Sequence, residues 1–187
     1  MFISHVDSGL ERLLRTRLPL PDEMGDVTFE PPSSTWSAQL SRITVNLFLY
    51  DVERSTQPSG PTTRVPEDGR SQRRRPLPMM QLGYLVSAWA GSPRDEHQLL
   101  GDVASILAGV DLLSPDLLPA GVNSSVRLSL GDPANRVREI WSACGGSLKA
   151  SFCLLATVAA DSYDWELEAP PVERVSAMVA RMDDVHA

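Results

Sequence analysis

Lysine is almost absent from this chain of 187 residues: Lys149 is the only one among 17 basic side chains, so nearly all positive charge is carried by guanidinium groups. Guanidinium suits bidentate pairing with carboxylates at interfaces, although a genome rich in G and C yields the same bias with no function attached. Cysteine is scarce too. Cys144 and Cys153 are the only two, spaced neither as a CxxC pair nor as half of a zinc site. That makes a disulfide framework unnecessary and leaves two small buried or half-buried side chains. His5, His97 and His186 share no ligand spacing, so no metal centre is expected. No apolar run reaches the roughly 18 residues that a membrane-spanning helix needs. Met1 to His5 lacks the basic-then-apolar order of a secretory leader. A soluble, cytoplasmic chain with no membrane partner is the expectation.

Motifs for chemistry are missing as well. No glycine-rich loop precedes a Lys-Ser/Thr pair, no GxGxxG follows a strand, and there is no GxSxG elbow. His97 beside Asp95 and Glu96 comes nearest to an acid/base cluster, but acids at a helix start are accounted for by the helix dipole and the imidazole by local hydrogen bonding. The sequence therefore offers no catalytic, cofactor-binding or metal-binding residues, and the protein reads as a non-enzyme without cofactors.

What is present is a hydrophobic content of 42%, enough for the core of one domain with a tail, and a net charge of −7 from 17 basic and 24 acidic residues. That balance argues against a nucleic-acid binder. The charge is unevenly distributed. Arg64, Arg70, Arg73, Arg74 and Arg75 crowd one stretch, and Asp161, Asp164, Glu166, Glu168 and Glu173 crowd the start of the tail. The arginine run has no interleaved aromatics to stack bases, so it reads as a solvated loop first, a protein contact next and a nucleic-acid grip last.

Periodicity supplies the elements. Ile43, Val45, Leu47 and Leu49 alternate with Thr44, Asn46, Phe48 and Tyr50, which predicts a long strand over 43–51 with one fully buried side; it can start as early as Trp36 or Gln39. A second long strand is predicted from Met79 to Ala90, with Gly83 allowing a neighbour to approach closely. Between them, the polar stretch 53–76 has too little apolar surface to order itself and is read as a mobile basic loop. Ile3, Val6, Leu10, Leu13 and Leu14 predict an opening helix that stops before Pro19, and Val27–Glu30 an edge strand. Ser92-Pro93 opens a helix with Leu99, Leu100, Val103, Ile106 and Leu107 on its apolar face. Further on come one turn at Ser114-Pro115, a strand at Val126–Leu130, a helix from Asp132-Pro133 ending at left-handed Gly145-Gly146, and a last strand over 149–160. After Pro170-Pro171, the residues Val172, Val175, Val179 and Met182 form an amphipathic stripe for docking on the domain or on a neighbour. Trp36, Trp89 and Trp141 read as core anchors. Trp165, amid acids, reads as an interface residue. Together these predict an α+β domain over 1–160, with a mixed, largely antiparallel sheet of four to five strands flanked by helices, and an acidic extension over 161–187.

Several strings recur in order in one family. Val27-Thr28-Phe29-Glu30-Pro31-Pro32, the strand Ile43 to Glu53, the proline-led strand Pro76 to Trp89, Glu96-His97-Gln98-Leu99-Leu100-Gly101 and Trp141-Ser142-Ala143-Cys144-Gly145-Gly146 together resemble the cap proteins of extracellular contractile injection systems. The resemblance spans about residues 3 to 160, with Arg75-Pro76-Leu77-Pro78 departing from the usual P-P-L before the second strand. It implies a phage tail-terminator-like α/β domain and a homo-oligomeric, hexameric ring. That ring would end the inner tube and the sheath at the pole away from the baseplate, in a bacterial particle built in the cytoplasm. Inner tube protein and sheath protein are the implied partners; another tube or baseplate component is the alternative, and a regulator gripping nucleic acid with the arginine run is a further one. Within this picture the candidate interface residues are Arg64, Arg70, Arg73, Arg74 and Arg75 on the tube or lumen side, with Trp165, Val172, Val175, Val179 and Met182 toward the neighbour or sheath.

Overall fold

The computed structural model describes residues 2–21, 23–66, 70–119, 125–131 and 136–168. The Asp132-Pro133 helix start and the stripe from Val172 to Met182 lie outside them. In chain order the elements are α1 (Phe2–Arg17), β1 (Gly25–Thr28), α2 (Ser34–Ser37), β2 (Ile43–Arg54), β3 (Thr62–Arg64), β4 (Gln72–Arg74) and β5 (Met79–Trp89). They continue with α3 (Pro93–Ala108), β6 (Leu112–Leu113), a 3-10 turn (Pro115–Leu117), β7 (Val126–Leu130), α4 (Val137–Cys144), β8 (Ser151–Ala159) and β9 (Glu166–Leu167).

Six strands form one sheet in the order β1-β2-β5-β8-β7-β6, antiparallel except where β1 runs parallel to β2. The fold is α+β, as the patterning predicts, with six strands in this sheet where four to five were expected. A two-residue strand such as β6 is too short for any periodicity to reveal. β1 lies on the edge, where Pro31-Pro32 after it can do no harm. The strand start near Trp36 is corrected: Ser34–Ser37 is a short helix, because the Ser33 hydroxyl accepts from the Trp36 N–H as a cap.

α1 buries Val6, Leu10, Leu13 and Leu14 on one face of the sheet, each contributing about 1.5–3 kcal/mol of burial. α3 adds Val103 and Leu107 there, its Ser92 hydroxyl accepting from the Asp95 N–H. On the opposite face α4 contributes Ile140 and Trp141, packed with Leu85 and Cys153. Trp36 meets Trp89 edge-on at 5.3 Å between ring centroids, and Trp89 leans on Trp141 at 6.2 Å. Lys149, the one lysine, sits 3.9 Å from the centre of Trp89 and pairs with Glu96. Its charge serves the core margin.

The alternation in β2 understates its burial. Thr44 and Asn46 are buried along with Val45 and Leu47. Asn46 is satisfied: its amide donates to the Glu30 carbonyl at 2.9 Å, and its carbonyl accepts from the Thr28 hydroxyl at 2.9 Å. The register slips between Leu49 and Asp51, so Tyr50 is the extra residue of a bulge. Its ring lies where a side chain on Gly83 would be, 3.0 Å from an added Cβ. This is the close approach that Gly83 was expected to permit.

The pair Gly145-Gly146 divides its duties. Gly145 is left-handed at φ 66° and caps α4, whereas a Cβ on Gly146 would sit 2.2 Å from the Pro32 carbonyl oxygen. Only the first is a left-handed position; the second is a site of backbone contact. Gly146→Ala is expected to cost about 3 kcal/mol through overpacking, and Gly145→Ala about 1–2 kcal/mol through strain. Urea denaturation of both checks the order, and equal losses would show that the Pro32 segment yields.

Tyr84 is fully buried and its hydroxyl donates to Asp7 at 2.7 Å, tying α1 to β5. Burial raises the Asp7 pKa above its ordinary value, against the lowering effect of that hydrogen bond, and raises the Tyr84 phenol as well. A raised native pKa means the folded state holds the Asp7 proton more tightly than the unfolded state. This group's contribution to stability therefore falls as pH rises through the window above the ordinary carboxylate value. Wild type should lose stability relative to Asp7→Asn as pH rises above the ordinary carboxylate range, measured by urea unfolding; a constant difference would refute it.

Candidate assembly surface

Where composition predicts a loop over 53–76, the chain instead continues β2 to Arg54 and then forms two short strands. β3 pairs with β4 in antiparallel fashion (Thr62 opposite Arg74, Arg64 opposite Gln72), and β4 pairs with β9 (Arg73 opposite Glu166). The result is a second, three-stranded sheet in the order β3-β4-β9. The arginines of one segment and the acids of another, a hundred residues apart, make it together.

Pairing sets the two faces. Thr62, Arg64, Gln72, Arg74, Trp165 and Leu167 share one face by register; Thr63, Arg73 and Glu166 share the other. On the first face, Trp165 is held between two guanidinium groups, with Arg64 at 4.2 Å and Arg74 at 4.6 Å from its ring centre. Arg64 also donates to the Gln72 side chain at 2.9 Å, and Arg74 pairs with Asp161. Arg75 and Glu166 come within 3.4 Å, and the Ser71 hydroxyl donates to Glu168 at 2.5 Å. Arg70 and Arg73 are exposed.

The structure thus brings Arg64, Arg74 and Trp165 into one clamp and sets Arg73 and Arg75 apart from it. The residues that sequence reasoning missed are the partners Asp161, Glu166 and Glu168. Their signal was visible as an acidic crowd opposite in charge to the arginine run, but the pairing needs a sheet that three-residue strands do not announce. Val172, Val175, Val179 and Met182 fall outside the described residues.

The surroundings offer little chemistry. A cleft of about 570 Å³ lined by 54–59, 76–79 and Tyr163 holds Arg54 and a phenol but no acid–base pair. Among the described residues no group of three His, Cys, Asp or Glu side chains can hold a metal. None of their helices is long and apolar enough to cross a membrane. Neither cysteine is in a disulfide, and burial pushes the Cys144 thiol up, away from the reactive thiolate.

Comparison with known proteins gives the arrangement a context. A family model described as the Pvc16 N-terminal domain matches residues 5–174. No curated protein matches the chain. Among solved structures, the fold is similar to the sheath/tube terminator of PVC, an extracellular contractile injection system, in its extended state (TM-score 0.68, 21% identity, 98% of this chain, 65% of that one). It is also similar to the tube-terminating cap of the anti-feeding prophage (TM-score 0.60, 17% identity, 93% of this chain, 60% of that one). The chain therefore spans less than two thirds of the length of either, and at these identities the likeness is one of fold.

Trp165→Ala removes two cation–π contacts of roughly 0.5–1 kcal/mol each. The Glu168 N–H, which donates to the Ser71 carbonyl at 2.9 Å, should exchange with solvent about tenfold faster, while amides of β5 keep their protection. Unchanged exchange at Glu168 would mean that the clamp does not hold β9 to β4.

Proposed function

The chain belongs to the Pvc16 N-terminal domain family, and on that premise we propose that it is a structural cap of a contractile injection system. In this reading it forms a hexameric ring that ends the inner tube and the sheath at the pole away from the baseplate. The family match over 5–174 carries the reading. Likeness of fold, over nearly the whole chain, to a protein named for terminating sheath and tube agrees with it.

The physics of the chain suits that task. A ring subunit needs a rigid body, a lateral surface that differs on its two sides, and elements that reach the tube on one side and the sheath on the other. The six-stranded sheet with helices on both faces supplies the body. The segment 53–76, with Arg64, Arg70, Arg73, Arg74 and Arg75, is assigned to the lumen or tube-facing side. Trp165, held between Arg64 and Arg74, goes with that segment, and the rest of the extension over 161–187 is assigned to the neighbouring subunit or the sheath through Val172, Val175, Val179 and Met182. The assignment includes no catalytic step, cofactor, nucleic acid or membrane. The particle is built in the bacterial cytoplasm.

Electron microscopy of isolated particles carrying a tagged copy of this chain should place the tag at one end only, distal to the baseplate. Mass photometry of the purified chain should show a ring. A tag at the baseplate or along the tube would defeat the cap reading, and strong salt-dependent binding of DNA by the purified chain would favour a nucleic-acid role. Truncation before Pro170 is expected to leave the domain folded and weaken assembly.

A further inference from the structure

We infer that the small sheet closes the ring edge to edge, β3 of one copy pairing in parallel with β9 of the next; the inference rests on the ring reading above. β3 and β9 are the two outer strands, and both run antiparallel to β4, so they point the same way. A rotation about an axis along the strands therefore carries β9 of one copy beside β3 of another without reversing direction. The pairing that results is parallel.

Backbone alternation leaves the needed groups on offer. The Glu168 N–H is committed to the Ser71 carbonyl, so along this antiparallel ladder Glu166 bonds inward to Arg73 and the N–H and C=O of Leu167 point away from β4. With Arg73 facing β9, its neighbours Gln72 and Arg74 face β3. They bond Arg64 and Thr62, which turns the backbone groups of Thr63 outward. Among the described residues, each edge thus presents a donor and an acceptor that no strand takes up, the feature that lets a sheet recruit another strand.

The two edges also complement each other. β3 is exposed throughout and carries Arg64, with Val65 beside it 69% exposed; β9 is exposed and carries Glu166 and Leu167, the latter 60% exposed, with Glu168 adjoining. Thr63, Arg73 and Glu166 share a face, so the acids of one copy come to lie next to Thr63 and one strand from Arg73 of the next. A foreign strand satisfies one edge only. A second copy of this chain satisfies both, and a head-to-tail contact of this kind is the one that closes into a ring.

Proline tests the pairing without touching the inner ladder, because Thr63→Pro and Leu167→Pro each remove an N–H that β4 does not use. Both full-length variants should keep the circular dichroism of the wild type and need at least tenfold more protein to form rings in mass photometry. Cysteines supply a second measurement should a proline disturb the fold. In a Cys144→Ser background, Thr63→Cys mixed with Glu166→Cys should give an oxidised dimer, whereas each alone stays monomeric. Thr63→Cys linking to itself would overturn the inference, as would wild-type rings undisturbed by both prolines together with no dimer from the mixture. Absence of any wild-type ring, in solution or on particles, would sink the cap reading and the pairing with it.

Discussion

Strand β5 has water on neither face: from Leu82 to Ala88 every residue is buried. A strand in that position can be stable only if both sides of the sheet are covered, and the rest of the domain is arranged around this requirement. α1 and α3 cover the side that carries Leu82, Tyr84 and Val86, while α4 and the tryptophan group cover the side that carries Leu85. Where cover comes too close, the sequence supplies a glycine: Gly83 beneath the Tyr50 ring, Gly146 against the Pro32 carbonyl.

Polar groups caught in this double-sided core are tied off. Asn46 holds the segment after β1, Tyr84 reaches Asp7, and Trp141 donates to the Ser151 hydroxyl at 2.9 Å. Lys149 and Glu96, both mostly covered, neutralise each other at the margin beside Trp89. Each such tie is worth about 1 kcal/mol net, but leaving one end unpaired would cost more, so they select one packing over its competitors.

The small sheet obeys a different economy. It is held by short ladders, cation–π contacts and ion pairs such as Arg75–Glu166, whose side chains are 69% and 66% exposed and which contributes at most a few tenths of a kcal/mol. Exposed apolar residues, Val65 and Leu167, stay on its rims. An element so lightly held, its outer edges paired with no other described strand, belongs to the low-stability end of a fold.

Periodicity in the chain was enough to mark α1, β2, β5, α3 and β8, because burial of one face repeats at fixed intervals over a dozen residues. Motif order was enough to point to the family. The charges were equally visible, Arg64 to Arg75 on one stretch and Asp161 to Glu168 on another, yet nothing local said that they meet. Strands of two and three residues have no period to read, and the clamp of Arg64, Trp165 and Arg74 exists only after the chain has returned through β8 to lay β9 on β4. Burial of Thr44 and Asn46 was hidden for a related reason: which face of a strand is covered depends on what packs there, and that is a property of the folded whole. The sequence by itself determined the long elements and the family; tertiary structure decided which charges pair, which glycine needs left-handed backbone and which needs space, and how the shortest strands join into a sheet.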